Sequence, residues 1–274
     1  MIQNEPMTIL SDPVRFFSEY IHLTGVAHLG PERDGHPALL GKRLGLLNGS
    51  SWITAWSNYF GRMILPGVHL VSTGNEAVQL NFMQAYSEAK PCPPQANIDR
   101  FIHYAQDLVE LAHVHAVMIT CSTMNRSYSQ VSSALRPYGV PVIQIDMPMM
   151  EKAVMLGGKV LVIATHGPTV ASTQALLTET AARLGTSLQF EGVTVEEAWE
   201  KLAAGDIAGH NASIAAAIRA AHPENFSCVV LAQLSMSAFA FSYPDPVVHF
   251  GIPVLNSGQC GFEYVQKILV GLPG

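Results

Sequence analysis

Charge is scarce in this sequence: Asp, Glu, Lys and Arg make up 13% of 274 residues, and no stretch is rich in Lys or Arg. A phosphate backbone is held by clustered cations, so a nucleic-acid partner is not expected. Long apolar runs are missing too. Those such as Cys228 to Ala232 and Val160 to Ala164 are strand-sized, far below the roughly 20 residues that cross a bilayer. The N-terminal MIQNEPMTILSDPVRFF has no basic segment leading into an apolar core, so neither a signal peptide nor a membrane partner is expected. Cysteine is sparse. Cys92, Cys121, Cys228 and Cys260 form no C-x-x-C pair and are too few to staple a chain of this length. The expected setting is the cytoplasm, with four free thiols that are small buried hydrophobes unless something specific activates one. The phosphate-cradling G-x-x-x-x-G-K-[ST], the dinucleotide G-x-G-x-x-G and the G-x-S-x-G elbow are all absent. His113 and His115 stand two residues apart with no nearby acid or cysteine, a poor metal pair, and read as structural. No metal or cofactor is expected.

What the chain does have is apolar content, at 49%, arranged as short runs alternating with amphipathic stretches. Strands are predicted at Leu44–Leu47, His69–Ser72, Ala116–Thr120, Val140–Ile145, Val160–Ala164, Ser187–Phe190, Cys228–Ala232 and Ile252–Leu255. Helices are predicted at Ile98–Ala112, Thr169–Leu184 and Ile207–Ala221. Strand–helix alternation implies parallel sheets with right-handed crossovers. The sequence also repeats itself. AVMITCSTM (Ala116–Met124) matches CVVLAQLSM (Cys228–Met236), and GVPVIQID (Gly139–Asp146) matches GIPVLNSG (Gly251–Gly258), both at an offset of 112 residues. GKRLGLLNG (Gly41–Gly49) and GKVLVIATH (Gly158–His166) correspond more loosely. The expected fold is therefore α/β: two similar Rossmann-like lobes with parallel sheets, related by a pseudo-twofold axis, and a site in the cleft at the strands' carboxyl ends. Residues 1–42, dense in Gly and Pro, read as an extension over the surface. Residues 43–148 read as the first lobe and 149–274 as the second, whose last helix is a candidate to return to the first.

Cys121 ends an apolar strand in TCSTMN, where a helix is predicted to start. Partial positive charge and free backbone N–H groups at such a point favour a thiolate. Ser122, Thr123 and Asn125 supply short donors for a carboxylate, the same donors that would cap the helix in an empty site. Thr165 and His166 open the loop after the Val160–Ala164 strand, and a histidine there suits acid–base work. Cys260 follows the last strand and is a further candidate acid, whereas Cys228 enters its strand from the opposite end and reads as core.

TCST, IDMPM (Ile145–Met149), VIATHGPT (Val162–Thr169) and LAQLSM (Leu231–Met236), in this order, resemble the aspartate/glutamate/hydantoin racemase superfamily, in particular members with an LAQxSM motif. The resemblance covers roughly residues 41–274. It implies a cofactor-independent enzyme acting on a small carboxylic acid, with one proton-transferring cysteine per lobe on opposite sides of the substrate's α-carbon. Cys121 matches the first. The second position falls on Gln233, whose amide neither takes nor gives a proton near neutral pH. It further implies that the loop of Asn48, Gly49 and Ser50 contacts substrate, with Asn48 where relatives often carry an acid. Thr165, Ser235 and Ser257 are implied as further donors. Three functions stay open: an asymmetric lyase, decarboxylase or isomerase; a racemase or epimerase whose second base is a residue such as His166; and a non-catalytic protein that binds small acids. A homo-oligomer, dimer or larger, is expected.

Overall fold

Runs such as RLGLL and CVVL place aliphatic side chains on both faces of a strand, and only a parallel sheet covered on both sides buries them. The computed structural model describes residues 12–24 and 35–272. After an initial helix α1 (Pro13–Thr24), the first half runs β1 (Arg43–Leu47), α2 (Thr54–Ile64), β2 (His69–Thr73), α3 (Glu76–Ser87) and α4 (Gln95–Glu110). It continues with β3 (Ala116–Ile119), a 3₁₀ turn (Ser122–Ser127), α5 (Tyr128–Leu135), β4 (Val142–Gln144) and α6 (Met147–Leu156). The second half begins with β5 (Lys159–Ala164), α7 (Gly167–Arg183), β6 (Gln189–Thr194), α8 (Glu196–Ala203) and α9 (Ile207–Ala220). Then come β7 (Cys228–Leu231), a 3₁₀ turn (Leu234–Ala238), α10 (Phe239–Ser242), α11 (Pro246–Phe250), β8 (Val254–Asn256) and α12 (Ser257–Gly271).

The strands form two four-stranded parallel sheets in the orders β2-β1-β3-β4 and β6-β5-β7-β8, the same order twice. β3 and β7 begin 112 residues apart, as do β4 and β8, so the sequence repeat is a repeat of structure. Each half also sends its last helix across. Met149, Met150 and Ala153 of α6 pack in the core of the second sheet, while Phe262, Val265 and Leu269 of α12 pack in that of the first. Full burial of each of these Met, Phe, Val and Leu side chains contributes roughly 1.5–3 kcal/mol, so the two halves are bound by a reciprocal exchange. Gly261 permits the close approach of α12, because a Cβ there would lie 2.6 Å from Ile145 Cγ1.

The predicted strands at Val140–Ile145 and Ile252–Leu255 are shorter or shifted, at Val142–Gln144 and Val254–Asn256, and two further differences have a clear cause. β6 lies at Gln189–Thr194 rather than Ser187–Phe190. It is an exposed edge strand, and with no face fully buried its polar residues hide it from a search for apolar runs. The segment read only as a surface extension contains α1, an exposed helix that starts where Asp12 Oδ1 accepts from the Arg15 amide at 3.0 Å, with Pro13 in its first turn. The rest of that extension, residues 1–11 and 25–34, lies outside the described residues. No described helix is long and apolar enough to cross a membrane.

Candidate active site

A strand of a parallel sheet ends where its helix begins, and four such ends converge here. The segments after β1 (Gly49, Ser50), β3 (Cys121, Ser122, Thr123), β5 (His166) and β7 (Gln233, Ser235) line one cavity of about 280 Å³. Both sheets contribute, so the cavity lies between the lobes. Trp52, Ile53, Phe82, Met83, Tyr86, Trp199 and Leu234 form its apolar side.

Cys121 shows part of its surface to this cavity and is enclosed by protein elsewhere. Its extended backbone (φ −99°, ψ 112°) opens the 3₁₀ turn, and its Sγ lies 3.0 Å from Thr123 Oγ1. Burial pushes the thiol's pKa up; the Thr123 hydroxyl and the N–H groups of Met124 and Thr123 oppose that, and the charge of Asp146 adds to it. Burial thus works against the thiolate that the strand-end position leads one to expect. The six-residue 3₁₀ turn has too few aligned peptides to supply the field of a long α-helix. Gly49 packs directly on the sulfur, and a Cβ at Gly49 would overlap Cys121 Sγ.

Gln233 occupies the equivalent position in the second lobe, extended (φ −136°, ψ 144°) before its own 3₁₀ turn. Thr165 explains its orientation: the Thr165 N–H and hydroxyl both donate to Gln233 Oε1, at 2.8 and 2.9 Å. A backbone N–H only donates, so the amide oxygen is fixed toward Thr165, and the NH₂ end remains to serve the cavity. Thr165 itself is fully buried beneath Gln233 and does not line the cavity. The His166 ring packs on Trp199 with centroids 4.7 Å apart. Burial lowers its pKa while Glu196 works the other way, so the ring is neutral at physiological pH.

Other predicted site residues sit behind the cavity. Asn48 is fully buried, its Oδ1 accepting from Thr120 Oγ1 at 2.5 Å and Ser57 Oγ at 3.0 Å, so it braces the β1 and β3 ends. Asn125 turns away and donates to Asp146, facing a larger neighbouring groove of about 800 Å³ that shares Ser122 and Thr123 with the cavity. Ser257 is buried beside Asp146 at the start of α12, its hydroxyl too poorly placed for a full hydrogen bond. Cys260 is buried in the core of the second sheet, as is Cys228, and neither lines the cavity. His115 Nδ1 accepts from the Arg43 amide at 3.0 Å. Among the described residues no group of His, Cys, Asp and Glu is arranged to hold a metal ion.

Asp146 carries no spacing signal of its own, although it stands in IDMPM just beyond β4, where strand-end acids belong. Burial pushes its carboxyl up to about 7, against the pull of Ser257 and Asn125 toward the charged form. A folded-state pKa above the unfolded value means the folded protein holds this proton more tightly. That stability is full below the carboxylate's ordinary range and is lost as pH rises toward about 7. The thermal midpoint should therefore fall as pH rises from about 4 to about 7 and level off above that, and Asp146→Asn should flatten that fall. An unchanged slope in the variant would remove Asp146 as its source.

No curated protein sequence matches the chain. Solved structures with the same fold include an aspartate racemase homologue from Pyrococcus horikoshii OT3, 16% identical, covering 83% of this chain and 99% of that one with a TM-score of 0.61. Allantoin racemase from Klebsiella pneumoniae is 15% identical over 83% of this chain and 87% of its own, at a TM-score of 0.58. Unliganded arylmalonate decarboxylase is 14% identical over 85% and 94%, at 0.53. Identities this low speak to the fold alone. The sequence itself matches the Asp/Glu/Hydantoin racemase family over residues 75–265, well over half its length, and the chain belongs to that family.

Proposed function

We propose that this protein is a cofactor-independent enzyme of lyase or decarboxylase type, acting on a small carboxylic acid, in which the Cys121 thiol is the proton donor. The observation that carries this reading is the unlike pair in one cavity: a cysteine at the end of β3, and at the equivalent end of β7 an amide fixed by Thr165. In the decarboxylation of an acid with two carboxylates on one carbon, the bond from that carbon to one carboxylate breaks and CO₂ leaves. The electron pair stays on the carbon, delocalised into the remaining carboxylate as an enediolate. The Gln233 amide and the hydroxyls of Ser50, Ser122, Thr123 and Ser235 are donors suited to that oxyanion. The S–H bond of Cys121 then breaks, its proton goes to the carbon, and solvent reprotonates the thiolate.

A single proton carrier serves a single face. A disubstituted malonic acid turned over in D₂O should give a monocarboxylic acid with one deuterium on the α-carbon and a single configuration. His166 supports a second reading, because its neutral ring lines the same cavity. If it supplies a second base, a chiral acid should exchange its α-hydrogen with inversion and no CO₂ should form. Binding of acids with neither product nor exchange would favour the non-catalytic reading and sink both others.

A further inference from the structure

Asp146 is a buried acid that the proposed reaction leaves unused. It is the N-cap of α6, yet its side chain makes no cap hydrogen bond to that helix. It meets Asn125 instead, a side chain of the turn that Cys121 opens, and Asn125 Nδ2 donates to Asp146 Oδ2. The other oxygen of each group, Asn125 Oδ1 and Asp146 Oδ1, is buried with no hydrogen-bond partner among the described residues. Two unpaired acceptors on groups that already touch are costly as they stand. One proton serves both, because a carboxylic acid presents one donor and one acceptor, the complement of a carboxamide. The repeat ties the same two positions together in the second half. Ser237 and Gly258 stand 112 residues on from Asn125 and Asp146, and the Gly258 N–H donates to the Ser237 hydroxyl at 3.0 Å. That tie holds at any pH; its counterpart in the first half needs a titratable proton.

We infer that Asp146 carries its proton and joins Asn125 as acid to amide, through two hydrogen bonds that close one ring, and that this clasp holds the Cys121 turn to the head of α6. Asp146 is thus a positioning residue. The cations of the adjoining groove are already engaged, Arg126 with Glu179 at 2.7 Å and Arg183 with Glu151 at 2.5 Å, and the other titratable lining groups are tyrosines and Cys92. At the start of α12, Ser257 draws the carboxyl toward its charged form, while Lys152 of α6 and Glu263 of α12 act on Cys260. Once the proton leaves, at about pH 7, a buried carboxylate faces Asn125 Oδ1 with no cation beside it. Its charge also bears on Cys121. The clasp then opens and the turn loosens. The bearing of this clasp on catalysis rests on the reading of Cys121 as the proton carrier; the clasp itself does not.

Hydrogen exchange, corrected for the intrinsic pH dependence of amides, reads the clasp without a substrate. In the parent, protection of the turn at Ser122–Ser127 should fall about 10-fold between about pH 6 and about pH 8.5, while that of the turn at Leu234–Ala238 stays level. Asp146→Asn should keep the protection found at the lower pH and lose its pH dependence, because two facing amides share both hydrogen bonds with no proton to give up. Asn125→Ala should lack the protection throughout. The infrared carbonyl band of a protonated carboxyl should be present in the parent at about pH 6, gone at about pH 8.5, and missing from Asp146→Asn at both. No such band in the parent, or one and the same pH dependence in the two turns, would overturn the inference. Both are read on the parent, so the test does not hinge on a variant that fails to fold. The catalytic reading fails separately. A proton-dependent clasp with no turnover of any acid keeps the clasp and rejects the catalysis. Turnover that is lost in Cys121→Ser, beside a turn that pH does not loosen, keeps the catalysis and rejects the clasp. Where both hold, kcat/KM for a disubstituted malonic acid should fall above about pH 7 in the parent and stay level to higher pH in Asp146→Asn.

Discussion

Cys121→Ser should fold as the parent does and lose about 10²- to 10⁴-fold in kcat/KM, the usual worth of a positioned general acid. Serine keeps the shape, and the oxygen still reaches Thr123, so the thermal midpoint should barely move. What it lacks is acidity: a hydroxyl on that turn holds its proton too firmly to deliver it to a carbanion at a useful rate. Because burial pushes the Cys121 thiol up, the parent's Cys121 should also alkylate slowly with iodoacetamide at neutral pH and faster as pH rises. That reverses what the strand-end position alone suggests. Activity of Cys121→Ser within a few-fold of the parent would remove the central claim. Fast alkylation at neutral pH would instead restore the thiolate and favour a base over an acid.

Gly49→Ala is expected to cost roughly 10²-fold in kcat, the effect of misplacing a reacting group by about 1 Å. The added Cβ would overlap Cys121 Sγ and stand 3.0 Å from its Cβ, so the sulfur must give way. The backbone at Gly49 is not in the left-handed region, so alanine suits it and the fold should persist. Steady-state kinetics beside a thermal melt checks this. A large drop in melting temperature would make the loss one of folding, and full activity would show that the thiol's position is not critical.

The sequence alone was enough for much of the architecture. Aliphatic runs buried on both faces announce parallel strands, and two motif pairs at one spacing announce a duplicated sheet, because patterns of period and spacing are local. The same repeat puts Cys121 and Gln233 at equivalent strand ends. Strand-end position and the family resemblance also make Asn48, Asn125, Thr165 and Ser257 look like substrate contacts. Spacing finds strand ends but not which way a side chain turns. Asn48, Thr165 and Ser257 turn inward, the first two bracing residues at the cavity's edge, and Asn125 turns to Asp146. Trp199 gave no signal, because an aromatic on a helix far along the chain reads as ordinary packing until α8 folds over the cavity. The protonation states of Cys121 and Asp146 were also beyond the sequence. They depend on how much water each group loses, and that is set by side chains drawn from both lobes and from helices that cross between them. Residue order determines which groups arrive at the strand ends. Only the tertiary structure decides how dry they are and what they face, because desolvation and contact belong to the whole packed molecule.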